Sequence, residues 1–300
     1  MSDAGPNPPA PDVDETQIRE IAAGVWVIPD RRVPLVPNIG IVVGEDRTLV
    51  VDVGMGPRNG ARVLRAAQEK AGGRPLVVTT THFHPEHAFG LQVFRDEAHT
   101  VYNRSQLEEL REKGAAYVEM FKTFGPLVAE ALEGVDLVEP HETYDGDQTT
   151  LDLGGRTVEL LNRGLAHTRG DQVVWLPEER ILFTGDFVES RIFPIYPFFP
   201  PDDADVNGSL WIEVLVWLEG LEPDQVVPGH GEVRDVSVIT VARDYHERLR
   251  ELTFAQADAG ASADEAVAAI EPGIHERYPN WIQPEWVAFG IRCFHAERTG

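Results

Sequence analysis

The chain has 300 residues, 42% hydrophobic and 25% charged, the composition of a globular protein with ample chain to bury a core. Fifty acidic residues against 26 basic ones leave a net charge of −24, which repels nucleic-acid phosphates and anionic lipid, so neither is an expected partner. A lone cysteine, Cys293, forms no internal disulfide, no apolar run approaches the roughly 20 residues of a membrane span, and the start MSDAGPNPPAPDVDE has no basic or apolar leader, so the expectation is a soluble cytoplasmic protein.

Residues 1–16, rich in Pro, Asp and Asn, read as a disordered tail. GVWVIPD (24–30), NIGIVVGED (38–46) and TLVVDVGMG (48–56) are short apolar runs bounded by turn residues and read as strands. A helix is expected over 61–73, where apolar residues recur at helical spacing before two glycines. PLVVTTTHFH (75–84) reads as a strand buried on both faces, and 105–135 is helix-rich. Strands return with TTLDLGG, RTVELLNRG, DQVVWLPEE and RILFTGDFV, after a hairpin turn expected at Asp145-Gly-Asp147. SLWIEVLVWLEGL (209–221) reads as a helix, DQVVPGHGEV (224–233) as a strand running into a loop, and the chain from Ser237 as mostly helix. The order β-rich, helix, β-rich, helix predicts an α/β protein, a four-layer αβ/βα sandwich over residues 17–236 with residues 237–300 as a helical C-terminal extension packed on it.

Of ten histidines, three fall within six residues: His82-Phe-His84-Pro-Glu86-His87, directly after a strand. His82 and His84 share a side while the chain is extended, and Pro85 turns Glu86 and His87 toward a different point. Imidazole and carboxylate are the ligands of metals such as zinc, so one loop can supply two sides of a two-metal cluster. Three later segments repeat the theme of a ligand-type side chain at a strand end beside small neighbours: Gly164-Leu-Ala-His167, Thr184-Gly-Asp186 and Pro228-Gly-His230-Gly231.

The series Asp52, HFHPEH, His167, Asp186, His230 resembles the five motifs of the metallo-β-lactamase superfamily, over about residues 24–234. The resemblance implies the αββα sandwich with a metal cleft. It implies that His82, His84 and His167 hold a first metal, that Glu86, His87 and His230 hold a second, and that Asp186 bridges them. It makes Asp52 an orienter of the loop or of a histidine ring. The cofactor it implies is two zinc ions, with iron, manganese or a single metal as alternatives. One departure is plain: the family pattern is HxHxDH, and here the acidic position is Glu86, whose carboxylate reaches about 1.5 Å further than that of aspartate. Because metal–oxygen distances hold within about 0.2 Å, the second metal shifts, the loop adjusts, or Glu86 bonds only to water.

The implied activity is a metal-dependent hydrolase in which a metal-bound hydroxide attacks a small ester, thioester, lactone or amide, with Glu86, Asp186 and Asp52 as the assisting carboxylates. Two other functions share the motif set: a mononuclear iron, oxygen-using enzyme similar to persulfide dioxygenases, and a non-catalytic binding protein. The segment 190–201, with Phe193, Tyr196, Phe198 and Phe199 among prolines, is expected either to wall the cleft for an apolar substrate group or to plug the core or a dimer contact. Trp281, Trp286, Phe289 and Phe294 are expected to dock as core or as a homo-dimer interface, Cys293 to be buried and inert, and His99, His141, His246, His275 and His295 to lie at the surface.

Overall fold

The computed structural model describes residues 9–300, and the chain divides into two compact units, residues 1–146 with 150–158, and residues 147–149 with 159–300.

In the first unit a seven-stranded sheet follows sequence order: β1 (Arg19–Ala22), β2 (Val25–Ile28), β3 (Ile39–Val43), β4 (Thr48–Val51), β5 (Leu76–Thr79), β6 (Ala98–Asn103) and β7 (Glu142–Tyr144). Neighbours are antiparallel from β1 to β4 and parallel from β4 to β7. Parallel neighbours need a crossover, and helix α1 (Gly56–Ala71) supplies it between β4 and β5. Pro57 sits in the first turn of α1, and Gly72, at φ 59°, ends it by donating to Gln68 O. Every residue of β4 and β5 is buried, as their unbroken apolar runs require. Three further helices follow: α2 (Pro85–Ala88), α3 (Arg104–Lys122) and α4 (Pro126–Ala131). The core gathers Ile39, Ile41, Val50 and Val78 from the sheet with Val63 and Ala67 of α1 and Leu110 and Tyr117 of α3.

The disordered tail expected over 1–16 needs correction where it can be seen; residues 1–8 lie outside the described residues. Val13 is fully buried, its N–H donates to Asn59 Oδ1 (2.9 Å), and Asn59 Nδ2 donates to Pro11 O (2.7 Å). Arg62 donates to Val13 O and pairs with Asp12. One buried side chain and a bidentate asparagine thus pin this stretch to α1.

The second sheet has five strands in the order β12 (Gln225–His230), β11 (Ile181–Glu189), β10 (Gln172–Leu176), β9 (Thr157–Asn162) and β8 (Gln148–Asp152). β9, β10 and β11 pair antiparallel, whereas β11 and β12 are parallel and are joined through α5 (Gly208–Gly220). Asn207 caps α5 by accepting from Leu210 N–H (2.8 Å). The turn at Asp145-Gly-Asp147 closes no hairpin, because β7 belongs to the first sheet and β8 to the second.

Residues 237–300 form α6 (Ser237–Asp258), α7 (Ala263–Arg277), opened by a Ser262–Glu265 capping box, and α8 (Val287–Thr299). They share one core with the second sheet: Leu182 and Val226 of the strands, Trp211 and Leu215 of α5, Tyr245 and Leu249 of α6, and Ile291 and Phe294 of α8. No helix among the described residues is long and apolar enough to cross a membrane.

Candidate metal centre

In the first unit β4 and β5 run parallel with Val51 opposite Thr79, so the segments that follow both strands leave the sheet at one edge. Asp52 begins the first segment in a left-handed backbone, φ 65°, a conformation that costs a non-glycine residue about 1–2 kcal/mol. Its carboxylate offsets that cost. Oδ1 accepts from Thr81 N–H (2.7 Å), and Oδ2 lies 2.9 Å from His87 Nδ1. The two segments are stitched by Val53 N–H to His87 O and by Gly90 N–H to Gly54 O, each 2.8 Å. A Cβ on Gly90 would lie 2.6 Å from Val53 O, so only glycine permits this approach.

The histidine motif fills the second segment. Pro85 starts α2, a single turn in which the N–H groups of His87 and Ala88 both donate to His84 O. That turn separates two pairs of donors. The ligand atoms of His82 and His84 lie within 4.8 Å of each other, and so do those of Glu86 and His87. All four side chains are buried. His84 stacks on Tyr117 of α3, ring centroids 5.1 Å apart and planes 19° apart. Asp52 on Nδ1 of His87 fixes the ring and directs any metal to Nε2.

The second unit holds the other three expected ligands. His167 lies in the β9–β10 loop, which Asp171 ties: its carboxylate accepts from Thr168 N–H (2.6 Å) and Thr168 Oγ1 (2.7 Å) and stands 3.5 Å from His167 Nδ1. Trp211 meets the His167 ring edge to face at 5.4 Å and donates its indole N–H to Phe187 O (3.0 Å). Asp186 lies within β11 where the register with β12 breaks, after Gly185 at φ 52°. His230 ends β12, and its Nε2 is 3.7 Å from Asp186 Oδ1. A ring nitrogen of His167 also lies within 4.8 Å of the Asp186 carboxylate, so Asp186 lies near both imidazoles. Gly229 makes this possible: a Cβ there would lie 2.0 Å from Asp186 Oδ1.

Buried imidazoles and carboxylates in such density are costly in an apolar interior and match the donor chemistry of a zinc-type cation, so the residues present fit a metal. Asp171, Tyr117 and Trp211 were not read from the sequence. Asp171 alone left a trace, as a carboxylate four residues after His167.

The aromatic loop needs correction. Phe193 and Tyr196 are core residues, at most 1% exposed; Phe193 packs on Tyr245 and Trp281, and Tyr196 on Trp211 and Phe294. Phe198 packs against the same core, and Phe199 sets its ring on Phe289 (5.4 Å). These contacts give the loop the core-plug role. His246 is no surface residue either. It is buried in α6, bonded through Nδ1 to the Tyr196 hydroxyl, and burial drives its pKa down to about 3. His99 is exposed beside Glu142, and His141 is exposed. His275 and His295 lie part-exposed and bond the Pro284 and Ala261 carbonyls. Cys293 is buried, as expected, and burial pushes its thiol pKa far up. Phe294 is core, with Trp281, Trp286 and Phe289 packed against it.

The family profile of the Metallo-beta-lactamase superfamily matches residues 32–230. The chain belongs to the metallo-β-lactamase superfamily. Among curated relatives it is 30% identical to the chicken (Gallus gallus) acyl-coenzyme A thioesterase MBLAC2 over 64% of this chain and 72% of that protein. It is 25% identical to the Bacillus cereus metallo-beta-lactamase type 2 over 67% and 69%. Of solved structures, the metallo-beta-lactamase from Pontibacter korlensis aligns with TM-score 0.61 at 19% identity, over 77% of this chain and 98% of that one. The sec-alkylsulfatase Pisa1 from Pseudomonas sp. aligns with TM-score 0.72 at 14% identity, over 94% of this chain and half of its own. At these identities the likeness shows the fold: the metallo-β-lactamase fold of the mixed α/β class, with C-terminal helices, as the element order implied.

Proposed function

We propose that the chain is a metal-dependent hydrolase of small carbonyl substrates that uses a dinuclear zinc centre. His82, His84 and His167 would hold the first ion, Glu86, His87 and His230 the second, and Asp186 would bridge them. The observation that carries this reading is the position of Asp186, one carboxylate near two imidazoles beside a glycine with room for nothing larger. The donors of the first unit support it by falling into the same two pairs. Bound there, the metal supplies Lewis acidity that polarises a carbonyl and acidifies water toward neutral pH.

The protein's own groups do the rest. Asp52 holds His87 through Nδ1, and the Asp171 carboxylate stands 3.5 Å from Nδ1 of His167. The carboxylate of Asp186 or Glu86 accepts a hydrogen bond from the attacking water and aims it at the carbonyl carbon. Burial of these donors keeps bulk water out and strengthens each interaction. Among carbonyl substrates the thioesters come first, because the relatives matched at 28–30% identity are named as acyl-coenzyme A thioesterases.

The test is a panel of esters, thioesters, lactones and a β-lactam, run on protein stripped with a chelator and reloaded with zinc. Turnover that disappears on stripping and returns with zinc is the expected result. Oxygen consumption with one iron per chain, or no turnover of any carbonyl substrate after reloading, would overturn the proposal.

A further inference from the structure

His230 closes β12 between two glycines, and Gly231 turns the chain at φ 88°. A Cβ on Gly231 would lie 2.5 Å from Ser190 O, so this turn is pressed against the end of β11. Three hydrogen bonds fix it there. Ser190 N–H donates to His230 O (2.9 Å), Ser190 Oγ donates to one carboxylate oxygen of Glu232 (3.2 Å), and Arg191 Nη2 donates to the other (2.6 Å). Arg191 is held in turn from the C-terminal extension. Its carbonyl accepts from Ile282 N–H (3.2 Å), and Phe193 N–H donates to Ile282 O (3.1 Å), so Ile282, in the link between α7 and α8, pairs in parallel with Ile192. Trp281 seats that link by packing its ring on Phe193 (5.2 Å), Tyr245 (5.4 Å) and Tyr278 (4.5 Å).

We propose that the C-terminal extension positions His230 through this relay, with Arg191 and Glu232 as the positioning residues. The inference rests on the proposed metal centre, in which His230 holds the second ion, and adds what sets that ligand in place. The Arg191 and Glu232 side chains are 49% and 39% exposed, and an ion pair so exposed contributes little to folding. What the pair does fix is the separation of residues 190–191 from residues 230–232. A metal ligand needs that separation held closely, since metal–ligand distances tolerate about 0.2 Å. Arg191 also takes a left-handed backbone, φ 57°, and such strain persists only where the surroundings over-determine it. Here the bonds to Glu232 and Ile282 do so. The family match ends at residue 230, so Glu232 and the link at 281–282 lie outside the matched segment.

The test is stepwise zinc titration of the metal-free full chain, with hydrogen exchange of the Ser190 amide followed in the same metal-free protein. Glu232→Ala should weaken the second zinc about tenfold and spare the first. It should also speed Ser190 exchange about tenfold, because that N–H is bonded to His230 O. Glu232→Gln, which can still accept from Ser190 and Arg191, should recover most of both losses. Ile282→Pro, which removes the donor to Arg191 O at an exposed position, should give the same pattern as Glu232→Ala. If Ile282→Pro does not fold, Trp281→Leu, which loosens the packing of the link, is read in its place. A folded Glu232→Ala protein with wild-type affinity at the second site would overturn the proposal. So would variants in which both zinc ions weaken equally as the unfolding midpoint falls, since the relay would then be structural only. An effect in Glu232→Ala with none in either link variant would overturn the role of the extension. If the wild type binds no second zinc, the metal reading fails by itself. Ser190 exchange then decides the relay: faster exchange in the Glu232 and link variants supports it, and unchanged exchange overturns it.

Discussion

Gly229→Ala is the smallest change that should dismantle the metal centre. The new methyl carbon would stand 2.0 Å from Asp186 Oδ1, 2.7 Å from the carbonyl carbon of Gly185 and 2.9 Å from its oxygen. Real Cβ contacts are essentially never under 3.0 Å, so the Asp186 carboxylate must retreat by at least 1 Å. Metal–oxygen bonds tolerate about 0.2 Å. Overpacking a tight site costs about 1–3 kcal/mol. If all of it appears as lost metal affinity, that is roughly a 5- to 150-fold weaker Kd. Because Asp186 is assigned to both ions, both should weaken together. Zinc competition against a chromogenic chelator measures this, and circular dichroism checks that the fold remains. Gly220→Ala, with nothing within 4 Å of its Cβ at the end of α5, serves as the control and should leave affinity unchanged. A folded Gly229→Ala protein with wild-type zinc affinity would show that Asp186 is not a ligand.

Asp52→Asn keeps the size of the side chain but removes the charge on His87 Nδ1; zinc affinity at the second site should fall about 10- to 100-fold, checked by stepwise metal titration. Glu86→Asp shortens the acidic arm and should weaken the second ion severalfold while sparing the first, and an unchanged metal content and rate would make Glu86 a structural residue only. His246 is neutral in the fold, its pKa lowered from 6.5 to about 3 by burial, so its stabilising contribution is complete above pH 6.5 and is lost as pH falls from there toward 3. By pH 5 the loss is about 2 kcal/mol. Urea unfolding of His246→Phe should therefore show a flatter acid limb than the wild type, although the variant starts less stable at pH 8 for want of the Tyr196 bond.

The proposed ligands stand out in the sequence because each lies in a short stretch with its own signal: an apolar strand, a small residue, then a histidine or carboxylate. Gly229 and Gly185 beside His230 and Asp186 are part of that signal, since they are what the close approach demands. The strands β4, β5, β10 and β11 were equally plain, since each carries a short apolar run and is buried throughout. β1 and β7 were not, because Arg19–Ala22 and Glu142–Tyr144 are short edge strands with mostly exposed or half-buried side chains. The fate of the aromatic loop was also hidden. Phe193 and Tyr196 find Tyr245 and His246 some fifty residues further on, and no local pattern distinguishes a ring that plugs a core from one that lines a cleft. His246 could have been read as buried, since it falls on the face of α6 with Val238, Ala242, Tyr245 and Leu249 at helical spacing.

The central claim is that seven side chains hold two ions. Elemental analysis of the purified full chain, beside His84→Ala and His87→Ala, tests it directly. The account predicts two zinc ions per chain in the wild type, with the first-site ion lost in His84→Ala and the second-site ion lost in His87→Ala. A single iron in the wild type, or two ions retained in both variants, would contradict it.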